Sequence, residues 1–186
     1  MLDIGSFDGF YAFLAEARGA SRVVAVDNEQ YVDWIRGRFG LELPPAAGFN
    51  AIHQLLASKV EYRVLDALHV GQLDERFDVV LCFGMLHRVS DPVAVLRALA
   101  AVLEPDGEII LETYGSTLDD DTPAVEVHGS GDVYAGDDFV YWGFPAEGLR
   151  RLARLAGLGS VEMVTKVEID GHPRIVAVLR RGVHSV

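Results

Sequence analysis

The chain has 186 residues, half of them apolar, and its 16 basic and 28 acidic side chains give a formal net charge of −12. That length supports one domain with its own core, and the acidity argues against a long phosphate backbone as the main partner, because such binding draws on Lys and Arg. Cys82 is the sole cysteine, which excludes an intrachain disulfide and a thiolate metal cluster; there is no uninterrupted apolar run of about 18 residues and no basic, greasy leader, so the expectation is a cytoplasmic protein without signal peptide or membrane span.

Short apolar runs alternate with stretches of helical period, the pattern of an α/β protein whose mostly parallel sheet is covered by helices. In chain order, strands are expected over 1–4, 22–26, 60–65, 77–83 and 108–113, and helices over 9–18, 29–39, 50–57 and 92–103. Asp91 and Pro92 suit the N-cap and first position of the last of these helices. Glu104-Pro105-Asp106-Gly107 then turns the chain into the next strand. Regularity is lost over 114–144, an acidic and aromatic segment, and segments of that length in a compact domain are usually functional or disordered. A helix returns at 145–156, and strands at 160–169 and 173–180 are joined by Asp170-Gly171, a hairpin signal.

The strongest chemical signal lies at the start, in Leu2-Asp3-Ile4-Gly5-Ser6-Phe7-Asp8-Gly9. A strand ends, glycines follow and a helix begins, so backbone can approach a ligand while free N–H groups face polar atoms. About 20 residues on, Asp27 closes the second strand, where a carboxylate can accept both hydroxyls of a ribose. The bland alternative is a tight turn with Asp27 capping the next helix. A nicotinamide nucleotide is the second cofactor candidate, but the G-x-G-x-x-G fingerprint is absent, and the only lysines, Lys59 and Lys166, form no Tyr-x-x-x-Lys pair.

On these residues the chain resembles the class I S-adenosylmethionine-dependent methyltransferases along most of its length. Asp3, Gly5 and Gly9 match the family's first motif, with Ser6 in the turn and Phe7 where a middle glycine is usual. Asp27, followed by Asn28, matches the ribose-binding acid, and Asp66-Ala67 the adenine-recognising pair, although Asp66 also suits a helix N-cap. The resemblance implies a Rossmann-like, seven-stranded, mostly parallel sheet with a C-terminal antiparallel hairpin, and S-adenosyl-L-methionine as cofactor. It also implies that 1–186 is a single domain. Relatives carry helices before the first strand, so the expectation is that an N-terminal segment is missing here or the start codon misassigned.

The fourth strand exits into Phe83-Gly84-Met85-Leu86-His87-Arg88-Val89-Ser90-Asp91-Pro92. This is similar to the Leu-Tyr-His-x-x-Asp-Pro signature of a branch that includes the tRNA wobble-uridine methyltransferases forming carboxymethoxyuridine and their small-molecule relatives, some of which use a carboxylated cofactor. Phe83 and Gly84 are expected to border the cofactor. His87 takes the branch's tyrosine position and Arg88 its histidine position. His87 is the candidate catalytic base, since imidazole titrates near neutrality; a turn-capping histidine is the alternative. Arg88 is the rival, able to hold an anionic acceptor by paired hydrogen bonds. The stretch 137–145 resembles the branch's polar, aromatic segment ending in proline. Tyr134, Tyr141 and Trp142 are therefore candidate acceptor-binding residues within a 114–144 cover, and core anchoring is the other reading of the same rings. His53, His69 and His172 read as packing residues, and His128 lies near acids without metal-ligand spacing, so no metal is expected. The acceptor expected is a small molecule methylated on oxygen, with nitrogen second; tRNA and a non-catalytic nucleoside-binding domain are the alternatives.

Overall fold

The computed structural model describes residues 1–134 and 137–182, with only the backbone of Val164; the remaining positions of the expected 1–186 domain lie outside the described residues. Five strands enter in the order that hydrophobic patterning predicts: β1 (Leu2–Ile4), β2 (Val24–Asp27), β3 (Glu61–Val64), β4 (Phe77–Phe83) and β5 (Leu103–Tyr114). Between them lie α1 (Phe10–Ala17), α2 (Gln30–Phe39), α3 (Ala47–Leu56) and α4 (Pro92–Ala101). The chain ends with α5 (Ala146–Leu155), β8 (Leu158–Ile169) and β9 (His172–Arg181), while β6 (Glu126–Val127) and β7 (Trp142–Gly143) form a separate small ribbon.

The main sheet has the order β3-β2-β1-β4-β5-β9-β8. β1 to β5 pair in parallel, and β9 runs antiparallel to both β5 and β8. Strand side chains alternate between faces. Leu2, Ile4, Val24 and Val26 therefore join α4 and α5 in one core cluster, while Ala25 joins Phe13 of α1 and Phe49 of α3 on the opposite face. Helices thus cover both sides, as a parallel sheet requires. Strand order reverses beside β1, and the crevice at the carboxyl ends of β1 and β4 is the ligand position of such sheets.

Two expectations shift. Glu104–Gly107 does not precede β5 but interrupts it: the register with β4 jumps from Phe77 opposite Leu103 to Val79 opposite Glu108. The turn residues bulge out there, and Gly107 is needed because a Cβ would come within 2.8 Å of the Phe77 carbonyl. The 114–144 segment is also less irregular than its sequence suggests, since β6 pairs with β7 and Gly115 bridges Phe144. At the other end of the chain Asp170 (φ 51°) and Gly171 (φ 79°) close the hairpin as a two-residue left-handed turn. No helix among the described residues is long and apolar enough to cross a membrane.

Gly9 fixes the approach of α1 to α3. Its φ is 83°, and a Cβ would sit 2.6 Å from both Phe13 and Phe49. Gly9→Ala should cost about 2–5 kcal/mol, combining left-handed backbone strain with overpacking. Urea denaturation reads this directly; an unchanged midpoint would mean that α1 shifts freely.

Candidate active site

A cleft of about 460 Å³ opens at the carboxyl edge of β1, β2 and β4, within the usual size of small-molecule sites, about 300–1,000 Å³. Of the sequence-predicted residues, the structure brings Gly5, Phe7, Asp27, Asn28, Asp66, Ala67, Phe83, Gly84 and Arg88 into its wall. The β1 turn is held to β2 by Gly5 and Ser6 N–H groups donating to the Val26 carbonyl at 2.9 and 3.1 Å. Asp27 organises the rim: Oδ1 accepts from Glu29 N–H and Oδ2 from Phe7 N–H, both at 2.9 Å. Each carboxylate oxygen keeps further acceptor capacity for a ligand hydroxyl. Phe7 takes a left-handed φ of 52° in place of a glycine, and its ring meets Tyr31 edge-on at 4.9 Å.

Asp66 caps the short 3₁₀ turn Ala67–Leu73 through Leu68 N–H at 2.9 Å, and its other oxygen accepts from Asn28 at 3.1 Å. Capping and a place in the cleft wall coexist in this residue. Gly84 has φ 67° with nothing within 4 Å of the position a Cβ would take, so it leaves open space at the cleft edge. Its N–H is shared between the carbonyl and the Oε2 of Glu112, and Arg174 donates to Glu112 in turn.

Asp3, Ser6 and Gly9 stand behind the wall rather than in it. Asp3 is 3% exposed, its Oδ2 and the Ser6 hydroxyl have no partner among the described residues, and burial pushes its carboxyl up to about 6.

His87 requires a correction. It is wholly buried beside β5 instead of facing the cleft, and burial together with the Arg174 and Arg88 cations lowers its pKa well below the usual value. Nδ1 accepts the Tyr114 N–H at 3.2 Å, so the neutral ring carries its proton on Nε2 and has no lone pair left for base chemistry. The sequence shows where His87 leaves β4, but burial of that 3₁₀ turn depends on β5 and the ribbon.

The acceptor candidates also separate. Trp142 donates from Nε1 to the Val89 carbonyl at 2.7 Å and packs on the core, Tyr141 exchanges backbone hydrogen bonds with His87 and His128, and Tyr134 accepts from Arg174 with its ring 4.4 Å from His172. None of the three lines the cleft. Phe139 and Asp137, from the same 137–145 stretch, do, and so do Tyr31 and Met85, two residues that sequence reasoning missed. Phe139 belonged to the same aromatic run; which of its rings turn inward follows from how the ribbon docks.

A reversal point that joins a glycine turn to carboxylates at the ends of two neighbouring strands defines a Rossmann-like, nucleoside-binding α/β domain. This chain belongs to the methyltransferase-domain family, whose sequence profile matches residues 2–111, from β1 through most of β5. S-adenosylmethionine is the family's methyl donor.

The chain is 30% identical over 113 residues to a tRNA U34 carboxymethyltransferase of Nautilia profundicola, an alignment that covers 61% of this chain and 33% of that protein. It is 32% identical over 114 residues to a ubiquinone biosynthesis O-methyltransferase of Aeromonas salmonicida, covering 61% and 42%. The chain therefore spans less than half the length of either relative. In fold it is similar to the 1,6-didemethyltoxoflavin-N1-methyltransferase of Burkholderia thailandensis solved with 1,6-didemethyltoxoflavin and S-adenosylhomocysteine, at TM-score 0.69 and 21% identity over 98% of this chain and 70% of that one. The N-terminal domain of EvdMO1 with SAH bound gives TM-score 0.68 and 21% identity over 97% and 74%.

The residues present fit the methyl donor. Asp27 and Asp66 offer carboxylates at adjacent strand ends, Gly84 leaves space where a side chain would intrude, and an orphaned Asp3 oxygen lies under the glycine turn.

Proposed function

We propose that this chain transfers the methyl group of S-adenosylmethionine to an oxygen of a small-molecule acceptor. The observation that carries the reading is the cleft itself: a half-open crevice lined by apolar and polar side chains, with Asp27 and Asp66 at the ends of β2 and β3 and Arg88, paired with Asp137, after β4. When bound, the sulfonium supplies an activated methyl group. The chain's part is to hold the nucleophile in line with it and exclude water. Asp27 and Asp66 would hold the adenosine, with Asn28 fixing Asp66, while Phe139, Met85 and Val89 enclose the far end of the cleft. With His87 buried, Arg88 is the remaining polar candidate on the acceptor side. In the same proposal the described residues form one catalytic domain, and the 114–144 segment covers the acceptor through Asp137 and Phe139 rather than through Tyr134, Tyr141 and Trp142.

The second reading is a tRNA wobble-uridine enzyme, favoured by the similarity to tRNA U34 carboxymethyltransferases. Calorimetry with S-adenosylhomocysteine tests the cofactor, and an acceptor screen that includes hydroxylated small molecules and tRNA tests the substrate. On the small-molecule reading, tRNA binds weakly with a shallow salt dependence, because few phosphates are neutralised. Tight binding that falls steeply with salt would favour tRNA, and nicotinamide nucleotides binding in place of S-adenosylhomocysteine would overturn both readings.

A further inference from the structure

Arg88 is the one cationic side chain among the described residues of the cleft wall, beside three acids, Asp27, Asp66 and Asp137. Its Nε donates to the Gly84 carbonyl at 3.1 Å, which fixes the plane of the guanidinium. Its Nη1 donates to both oxygens of Asp137, at 3.1 and 2.8 Å. Among the described residues Nη2 has no partner. The group is therefore only half used, and a guanidinium presents its donors as a fork that matches a second carboxylate. Both members of the pair stay partly open to solvent, with side-chain exposures of 34% and 24%.

Oδ1 of Asp137 also accepts the Phe139 N–H, at 2.9 Å. The Phe139 ring lines the cleft and reaches Trp34 of α2 at 6.5 Å, edge-on. A carboxylate of the chain thus already sits against the cation inside the cleft and ties down the aromatic cover. Met85, Val89 and Phe139 surround this end with apolar surface.

We infer that Arg88 is the recognition site for a carboxylate on the acceptor, and that Asp137 is an internal carboxylate competing for the same guanidinium. This rests on the methyltransferase reading and narrows it: the acceptor is an apolar, preferably aromatic, carboxylic acid. Its carboxylate enters on Nη2 and competes with Asp137 for Arg88. The neutral amide of the same acid offers Arg88 only one uncharged acceptor oxygen and gains less there.

The test uses two probes on the full chain. S-adenosylhomocysteine is titrated first, and its failure to bind would sink the methyltransferase reading independently of Arg88. Benzoate and benzamide are then titrated into the S-adenosylhomocysteine complex, followed by calorimetry or ligand-observed NMR. Benzoate should bind at least about tenfold tighter than benzamide, and Arg88→Gln should remove that preference while retaining S-adenosylhomocysteine binding. Asp137→Asn should tighten benzoate by about tenfold, because a charged competitor is lost while the cation remains. Equal binding of the two probes, an undiminished preference in Arg88→Gln, or weaker benzoate binding in Asp137→Asn would each overturn the inference. The opposite signs expected of the two variants separate recognition from a general loss of fold.

Discussion

Replacing Asp27 with alanine is expected to weaken S-adenosylhomocysteine binding by about 1.5–3 kcal/mol, the range for losing hydrogen bonds to a charged group. At about 1.4 kcal/mol per tenfold, that is roughly a 10- to 150-fold rise in Kd. The effect has two sources. The carboxylate would meet the ribose hydroxyls directly, and it also accepts the Phe7 and Glu29 N–H groups that shape the rim of the cleft. Phe7 and Glu29 both have left-handed backbones, at φ 52° and 62°, which non-glycine residues keep only where surroundings hold them. Without Asp27 those residues relax, so binding should fall further than loss of the ribose contacts alone would give. Asp27→Asn keeps one acceptor oxygen and should lie between wild type and alanine. Calorimetry on the three proteins checks the order; equal affinity in all would remove Asp27 from the site.

Asp3 should leave a clear mark on the pH dependence of stability. Burial lifts its carboxyl from the usual 3.8 to about 6, so the folded protein binds this proton more tightly than the unfolded chain does. Stability from this group is then fully present below about pH 3.8 and is lost as pH rises toward 6 and beyond, the reverse of a salt-bridged carboxylate. The gap is worth roughly 3 kcal/mol at neutral pH, since about 1.4 kcal/mol accompanies each tenfold change in proton affinity. Asp3→Asn should remove this fall, so the variant gains on wild type steadily between pH 4 and 7. Urea denaturation across that range gives the test, and parallel curves for the two proteins would show that the ionised carboxylate is not strained. A buried, underpartnered acid at the first turn is a stability cost that a binding site can retain for function.

Much of this protein could be read from residue order. The period of the apolar residues fixed which segments become strands and which become helices, because one buried face per element is a local property of the chain. β4 spans Phe77–Phe83 as its apolar run predicts, and α4 begins at Asp91-Pro92, where Asp91 accepts the Ala94 N–H at 2.9 Å. The part of the cleft wall that carries the carboxylates was legible for a related reason. Gly5, Asp27, Asp66 and Gly84 all lie at strand ends, and a parallel sheet brings the ends of its strands to one edge whatever else the chain does.

The other end of the cleft was decided only by tertiary structure. His87 and Arg88 are neighbours in sequence, yet one is sealed beneath β5 and the other lines the cleft, because the short turn they share must bury one side against the sheet and expose the other. Within a few residues of each other, Phe139 faces the cleft while Trp142 turns to Val89 and the core. Sequence supplies the rings and charges of this segment, but their directions follow from where the β6–β7 ribbon docks. The contacts that flank it, from Gly115 to Phe144 and from Arg88 to Asp137, join residues far apart in the chain, and no local pattern encodes such pairings.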